Sequence, residues 1–235
     1  MRVFTPPLTK YYQTMPDGLK LLDVGALNFS QWKNLKDSHP QTQHYGVDYC
    51  DPNEPLPQGY VFKNADLNNG PIPFEDDMFD VVIASHIIEH LNDPIEFFKE
   101  CLRVLKSGGM LYVEAPSEKS VPLTGMPFDY EQFYSLSLYD DPTHSKRPWT
   151  PQSYYRLTKY YSCDPVEVGY VRHWLFRLLA PVVVPYARLT GNGYLLQKFV
   201  WFSKGWASYL FAQKPKNLKG TPPFFYYIPD RRRGK

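Results

Sequence analysis

The sequence predicts a doubly wound α/β fold on a mostly parallel sheet, and two observations carry that prediction. The first is the run from Asp66 to Pro116, which reads as strand, polar switch, capped helix, glycine stop and strand. Phe79 to Ala84 is a short β-branched apolar run, the pattern of a strand buried on both faces. Asp93-Pro94-Ile95-Glu96 then starts a helix: Asp93 can cap it, proline fits the first helical position, and Glu96 can reach back as in a capping box. Phe97, Phe98, Cys101, Leu102, Val104 and Leu105 give that helix a broad apolar face, and Gly108-Gly109 is expected to end it. Met110 to Val113 is the next strand, closed by Pro116. This is one βαβ unit, which implies parallel strands with ligands at their C-terminal ends. The second observation is that strand and helix patterns alternate along the rest of the chain.

In order, Leu19 to Val24 is expected as the first strand, after a lead-in that ends at Asp17-Gly18. A helix around Phe29 to Lys36 leads to a second strand, Gln43 to Val47, and Tyr60 to Asn64 is a weaker third. The βαβ unit supplies the fourth and fifth. Thr150-Pro151 opens a helix, Cys163 to Tyr170 is the sixth strand and Ala207 to Gln213 the last. Two insertions interrupt this series, 117–148 and 171–205, and both are expected on the acceptor side or as a lid.

At 235 residues and 27.5 kDa the chain suits a single domain spanning 1–235. A net charge of +2 supplies no global field for nucleic acid, and none is expected as a partner. Cys50, Cys101 and Cys163 lack metal-ligand spacing, and the N-terminus has no apolar run, so a reduced, cytoplasmic protein is the simplest expectation. The apolar stretch Val171 to Leu189 carries too many arginines and prolines for a transmembrane segment. Its Trp174, Phe176 and neighbouring arginines suit peripheral membrane contact, although packing on its own domain is the preferred reading. The tail Arg231-Arg232-Arg233 reads as a solvated end, with help in holding an anionic surface as the alternative.

Three ligand signals follow one another at strand ends. Leu21-Leu22-Asp23-Val24-Gly25-Ala26 runs a strand into a glycine turn, where backbone can approach a ligand. Asp48 ends the second strand, where an acid can bind both ribose hydroxyls. Asp66-Leu67 follows the third, where an acid can accept from an adenine amino group. Each alone is a common turn former.

Together with Pro73-Phe74, Phe79-Asp80-Val81-Val82, Glu89-His90-Leu91, Asp93-Pro94 and Arg103-Val104-Leu105-Lys106-Ser107-Gly108-Gly109, they resemble the class I S-adenosylmethionine-dependent methyltransferases acting on small molecules. The resemblance is close over residues 19 to 116. It implies a Rossmann-like, seven-stranded sheet with a reversed last strand. It also implies S-adenosyl-L-methionine as cofactor, held by Asp23, Gly25, Ala26, Asp48, Asp66, Leu67 and Ser85, with the methyl directed to the end of the fourth strand. One departure stands out: the family's second loop glycine is Leu27 here, and Asn28 is expected to supply the left-handed turn. A nicotinamide enzyme needs more glycines against its pyrophosphate than this loop offers.

Methyl transfer to oxygen or nitrogen is a direct displacement, so the protein mainly aligns the partners and removes a proton. The candidate bases are His86, His144 and Asp141, histidine being suited because it titrates near neutrality. His86, Glu89 and His90 stand at i, i+3 and i+4, and with His144 they could hold a divalent metal. Similar positions hold magnesium in some relatives. The same Glu-His pair serves metal-free members, however, and the metal-free reading is preferred. Tyr130, Phe133, Tyr134, Tyr139 and Trp149 are candidates for an acceptor wall suited to a small molecule or glycan. Arg147-Pro148-Trp149-Thr150 resembles a sequence of surface-polysaccharide methyltransferases. The alternatives are N-methylation of another metabolite and a non-catalytic, cofactor-binding scaffold.

Overall fold

The computed structural model describes residues 4–123, 136–144 and 147–216. Seven strands form one sheet: β1 Lys20–Val24, β2 Gln43–Asp48, β3 Val61–Asn64, β4 Phe79–Ser85, β5 Leu105–Pro116, β6 Asp164–Tyr170 and β7 Ala207–Gln213. Their order across the sheet is β3-β2-β1-β4-β5-β7-β6. β7 runs antiparallel to both β5 and β6, while β1 to β5 are parallel. The expected Rossmann-like sheet with a reversed last strand is therefore present. The strand order reverses between β1 and β4, the place where such sheets open a ligand crevice.

Helices α1 Pro7–Thr14, α2 Ser30–Leu35, α3 Pro94–Val104, α4 Pro151–Tyr160, α5 Trp174–Leu189 and α6 Gly193–Lys204 cover the sheet. Alternation along the central strands makes two cores. Leu22, Val24, Val82, Ala84, Leu111 and Val113 pack under Phe97, Phe98, Cys101 and Leu102 of α3 and Tyr154 and Leu157 of α4. Leu21, Val81, Ile83 and Tyr112 face the other way, against Tyr12 of α1, Leu35 of α2, and Trp201 and Phe202 of α6. Each fully buried Leu, Ile or Phe contributes about 1.5–3 kcal/mol relative to exposure.

Several local expectations need correction. The helix α1 occupies what reads as a bare lead-in, with Pro7 at its first turn. Asp93 caps α3 by accepting from the Ile95 and Glu96 amides, but the Glu96 carboxylate pairs with Lys99 at 2.7 Å instead of closing a capping box. α3 also ends at Val104, four residues before the glycines. Its final carbonyls, on Arg103 and Val104, accept from the Asp77 and Met78 amides (3.0 and 2.9 Å), and Leu105 already pairs with Phe79 in the sheet. Gly108, at φ 81°, sits within β5. The left-handed residue of the first loop is Phe29 (φ 50°), not Asn28. Its ring is buried edge-to-face on Tyr60 at 4.9 Å, and that packing offsets a conformational cost of about 1–2 kcal/mol.

Candidate functional site

The C-terminal ends of β1 to β4 surround a cleft of about 320 Å³. Gly25 turns the chain out of β1 at φ 86°, a conformation that suits glycine, and a Cβ there would stand 3.7 Å from Ile87. The Leu27 amide, where the second glycine is missing, donates to Asp48 Oδ2 at 3.1 Å, so the loop is tied to the end of β2. Asp48 Oδ1 accepts from the Cys50 amide at 3.3 Å. Asp66 is held by the Asn68 amide (2.9 Å) and the Asn69 side chain (2.6 Å). Gly25, Asp48, Asp66 and Leu67 all line the cleft, as the resemblance implies.

Asp23, Ala26 and Ser85, the other expected cofactor residues, are not among those that line this cleft. Asp23 and Ala26 are buried behind the loop. Burial raises the Asp23 carboxyl to about 8, against opposing hydrogen bonds from Gln31, and its Oδ2 has no partner among the described residues. Ile87, His90 and Leu91 complete the wall beside Val47, Tyr49, Ala65 and Asn68. Sequence reading assigned His90 only as a metal donor, yet it is the histidine that faces the cleft.

His86 follows β4 at φ 58°, a strained conformation for a residue with a side chain. Its Nδ1 lies 3.2 Å from Glu89 Oε1 and its Nε2 3.1 Å from Glu114 Oε1. Burial would lower its pKa, but hydrogen bonds and charge from Glu114 and Glu89 prevail and raise it to about 10. A histidine that keeps its proton at neutral pH donates from both nitrogens, an arrangement that suits a fixed charge more than the expected general base. Glu114 pairs locally, with His86 and with the Tyr112 hydroxyl. The His86 ring also leans on Trp206 at 5.6 Å.

The histidines beyond it are prepared differently. Thr143 donates its hydroxyl to Asp141 Oδ1 (2.6 Å), so its oxygen accepts from His90 Nδ1 (2.9 Å) and leaves the His90 Nε2 lone pair free. His144 donates Nδ1–H to the Leu138 carbonyl at 2.6 Å and stands 4.7 Å from the His90 ring. Asp141 is anchored by Thr143 and sits 3.8 Å from His144 Nε2. Burial would raise its carboxyl, but the two Thr143 bonds outweigh this and hold it below 3.8. Its observed contact is the one that holds Thr143 in place. Glu89, His90 and His144 bring one donor atom each to within 4.8 Å of one another. Glu89 Oε2 is buried with no partner among the described residues. Trp149 is no acceptor wall: it is buried and stacked on Tyr154 at 5.1 Å. Tyr139 is exposed, and Tyr130, Phe133 and Tyr134 lie outside the described residues.

Comparison with known proteins agrees with this layout. Residues 22–113 match the family described as "Methyltransferase domain". The ubiquinone biosynthesis O-methyltransferase of Caulobacter vibrioides is 31% identical over 117 residues, 41% of this chain and 40% of that protein. The probable tRNA methyltransferase 9B of Homo sapiens is 30% identical over 120 residues, 49% of this chain and 26% of that one. The chain therefore spans well under half the length of these relatives. Among solved structures, a SAM dependent methyltransferase from Archaeoglobus fulgidus superposes with a TM-score of 0.57 at 20% identity, covering 88% of this chain and 91% of that one. No described helix is long and apolar enough to cross a membrane.

Proposed function

We propose that the chain, whose residues 22–113 match the methyltransferase-domain family, is a class I S-adenosylmethionine-dependent methyltransferase that methylates an oxygen of a small-molecule or glycan acceptor. The observation that carries the reading is one cleft that joins Gly25, Asp48 and Asp66 to His90. Asp48 would hold the ribose hydroxyls, Asp66 the adenine amino group and the Gly25 turn the methionine end. Behind that turn Asp23 Oδ2 has no partner among the described residues, and an ammonium group there would favour the ionised carboxylate that burial opposes. When bound, the cofactor supplies an electrophilic methyl on a sulfonium.

The chain's own residues then have separate tasks. His90, with Nδ1 engaged by Thr143, presents Nε2 to take the acceptor's proton. Asp141 fixes Thr143, and through it the tautomer of His90. His86 contributes a fixed positive charge at the end of β4 that can orient an electron-rich acceptor. A small-molecule acceptor is supported by the modest net charge and by the Caulobacter relative's printed activity.

Calorimetric titration with S-adenosylhomocysteine tests the donor half. Binding is expected, with a loss of at least about tenfold in Asp48→Ala; no binding at millimolar concentration would favour a scaffold. His90→Gln should bind as well as wild type yet lose about 10²-fold or more in label transfer from tritiated cofactor to a metabolite extract. A second reading has its own observation, the Glu89–His90–His144 cluster. Two imidazoles and one carboxylate fit zinc or a similar ion better than magnesium, and His86 is already engaged elsewhere. Loss of transfer on EDTA treatment, restored by a divalent ion, would select this reading.

A further inference from the structure

The helical hairpin α5–α6, inserted between β6 and β7, exposes apolar surface that the chemistry above does not use. Trp174, Leu178, Val182, Tyr186 and Leu189 of α5 are all exposed, Val182 by 72% and Leu189 by 88%. At about 100° per residue these positions fall within one arc of roughly 120°. Phe176 and Ala187 lie on the opposite side and are buried. Phe176 packs on Phe4, Phe199 and Phe202, in line with the preferred reading that this residue packs on its own domain.

Charge identifies the occupant. From Val168 to Pro229 the sequence contains no aspartate or glutamate, and the hairpin carries Arg172, Arg177, Arg188, Lys198 and Lys204. On the same helical projection Arg177 and Arg188 border the stripe. An apolar band with tryptophan and tyrosine, bordered along one edge by Arg177 and Arg188, complements the headgroup–acyl boundary of an anionic bilayer. Two copies meeting through this face would bring like charges together, and RNA would contact the cations while leaving the leucine and valine without a role.

We propose that α5 lies in the surface of an anionic phospholipid membrane with its Trp174–Leu178–Val182–Leu189 stripe buried below the headgroups. Its 16 residues span about 24 Å and include Pro181 and Pro185, so it rests on the bilayer without crossing it. The hairpin also connects to the site: Trp201 stacks on Trp206 at 4.2 Å, and Trp206 leans on His86.

Co-sedimentation of the full chain with phosphatidylcholine vesicles, with and without phosphatidylglycerol, tests this independently of the methyl-transfer reading. The chain is expected to pellet with the anionic vesicles only. L178D combined with V182D should weaken partitioning at least about tenfold with an unchanged thermal melt. R177A combined with R188A should weaken it less and reduce its salt dependence. Failure of the wild-type chain to pellet with anionic vesicles, or equal pelleting of the L178D/V182D variant, would overturn the proposal. So would a dimer in light scattering that the same variant dissociates, or RNA binding that ignores the variant.

Discussion

A histidine between two carboxylates and an aspartate behind a glycine turn set opposite electrostatic problems. His86 is held charged, its pKa raised from 6.5 to about 10 by Glu114 and Glu89 against the effect of burial. The folded state binds this proton more tightly than the unfolded chain. The associated stability is complete below pH 6.5 and declines as pH rises through 10. His86→Gln should flatten that part of the urea-midpoint profile. Asp23 is raised from 3.8 to about 8, chiefly by burial. Its folded form keeps a proton that the unfolded chain has lost, so stability declines from pH 3.8 to 8. Asp23→Asn should raise the ligand-free melting temperature at pH 8 and leave it nearly unchanged below pH 4. Residue chemistry of this kind was only partly legible in the sequence. Asp48 and Asp66 could be placed at the cleft because a strand end fixes where an acid stands. The tautomer of His90 could not be read, because it depends on Thr143, 53 residues away.

Elements were legible where local chemistry and tertiary packing agree. β4 and the start of α3 needed only β-branched residues and the Asp93-Pro94 cap. The end of α3 was misplaced because sheet pairing at Leu105 takes over before Gly108 is reached. The first loop was misplaced because ring packing on Tyr60 selects Phe29 for the left-handed turn over the polar Asn28. The same loop yields a test of packing at the element scale. A Cβ on Gly46 would stand 2.5 Å from the Tyr60 hydroxyl oxygen and 2.7 Å from the Ala26 Cβ. Gly46→Ala should therefore destabilise by about 1–3 kcal/mol, seen as a lower denaturation midpoint, by forcing β2 away from the glycine turn. Cofactor affinity should fall with it, since Asp48 is carried on the same strand.

At the scale of the whole molecule, the sheet is most secure at its centre, where β1, β4 and β5 are covered on both faces. Their amides should exchange last with deuterium, and those of α5 and α6 well before them. Periodicity disclosed this layered plan because every central strand must be apolar on both sides. It did not disclose the exposed stripe of α5, since a run of Leu and Val reads as core until the neighbours are known.

The hydrogen bond from the Val171 amide to the Ala207 carbonyl, at 2.9 Å, has a topological consequence. The two ends of the hairpin leave the sheet as adjacent residues of adjacent strands. Whatever lies between them therefore adds only a slowly growing loop-closure term and does not disturb strand pairing. The position behaves as a socket: the segment it carries can be lengthened, shortened or replaced while the strand ends that line the cleft keep their places.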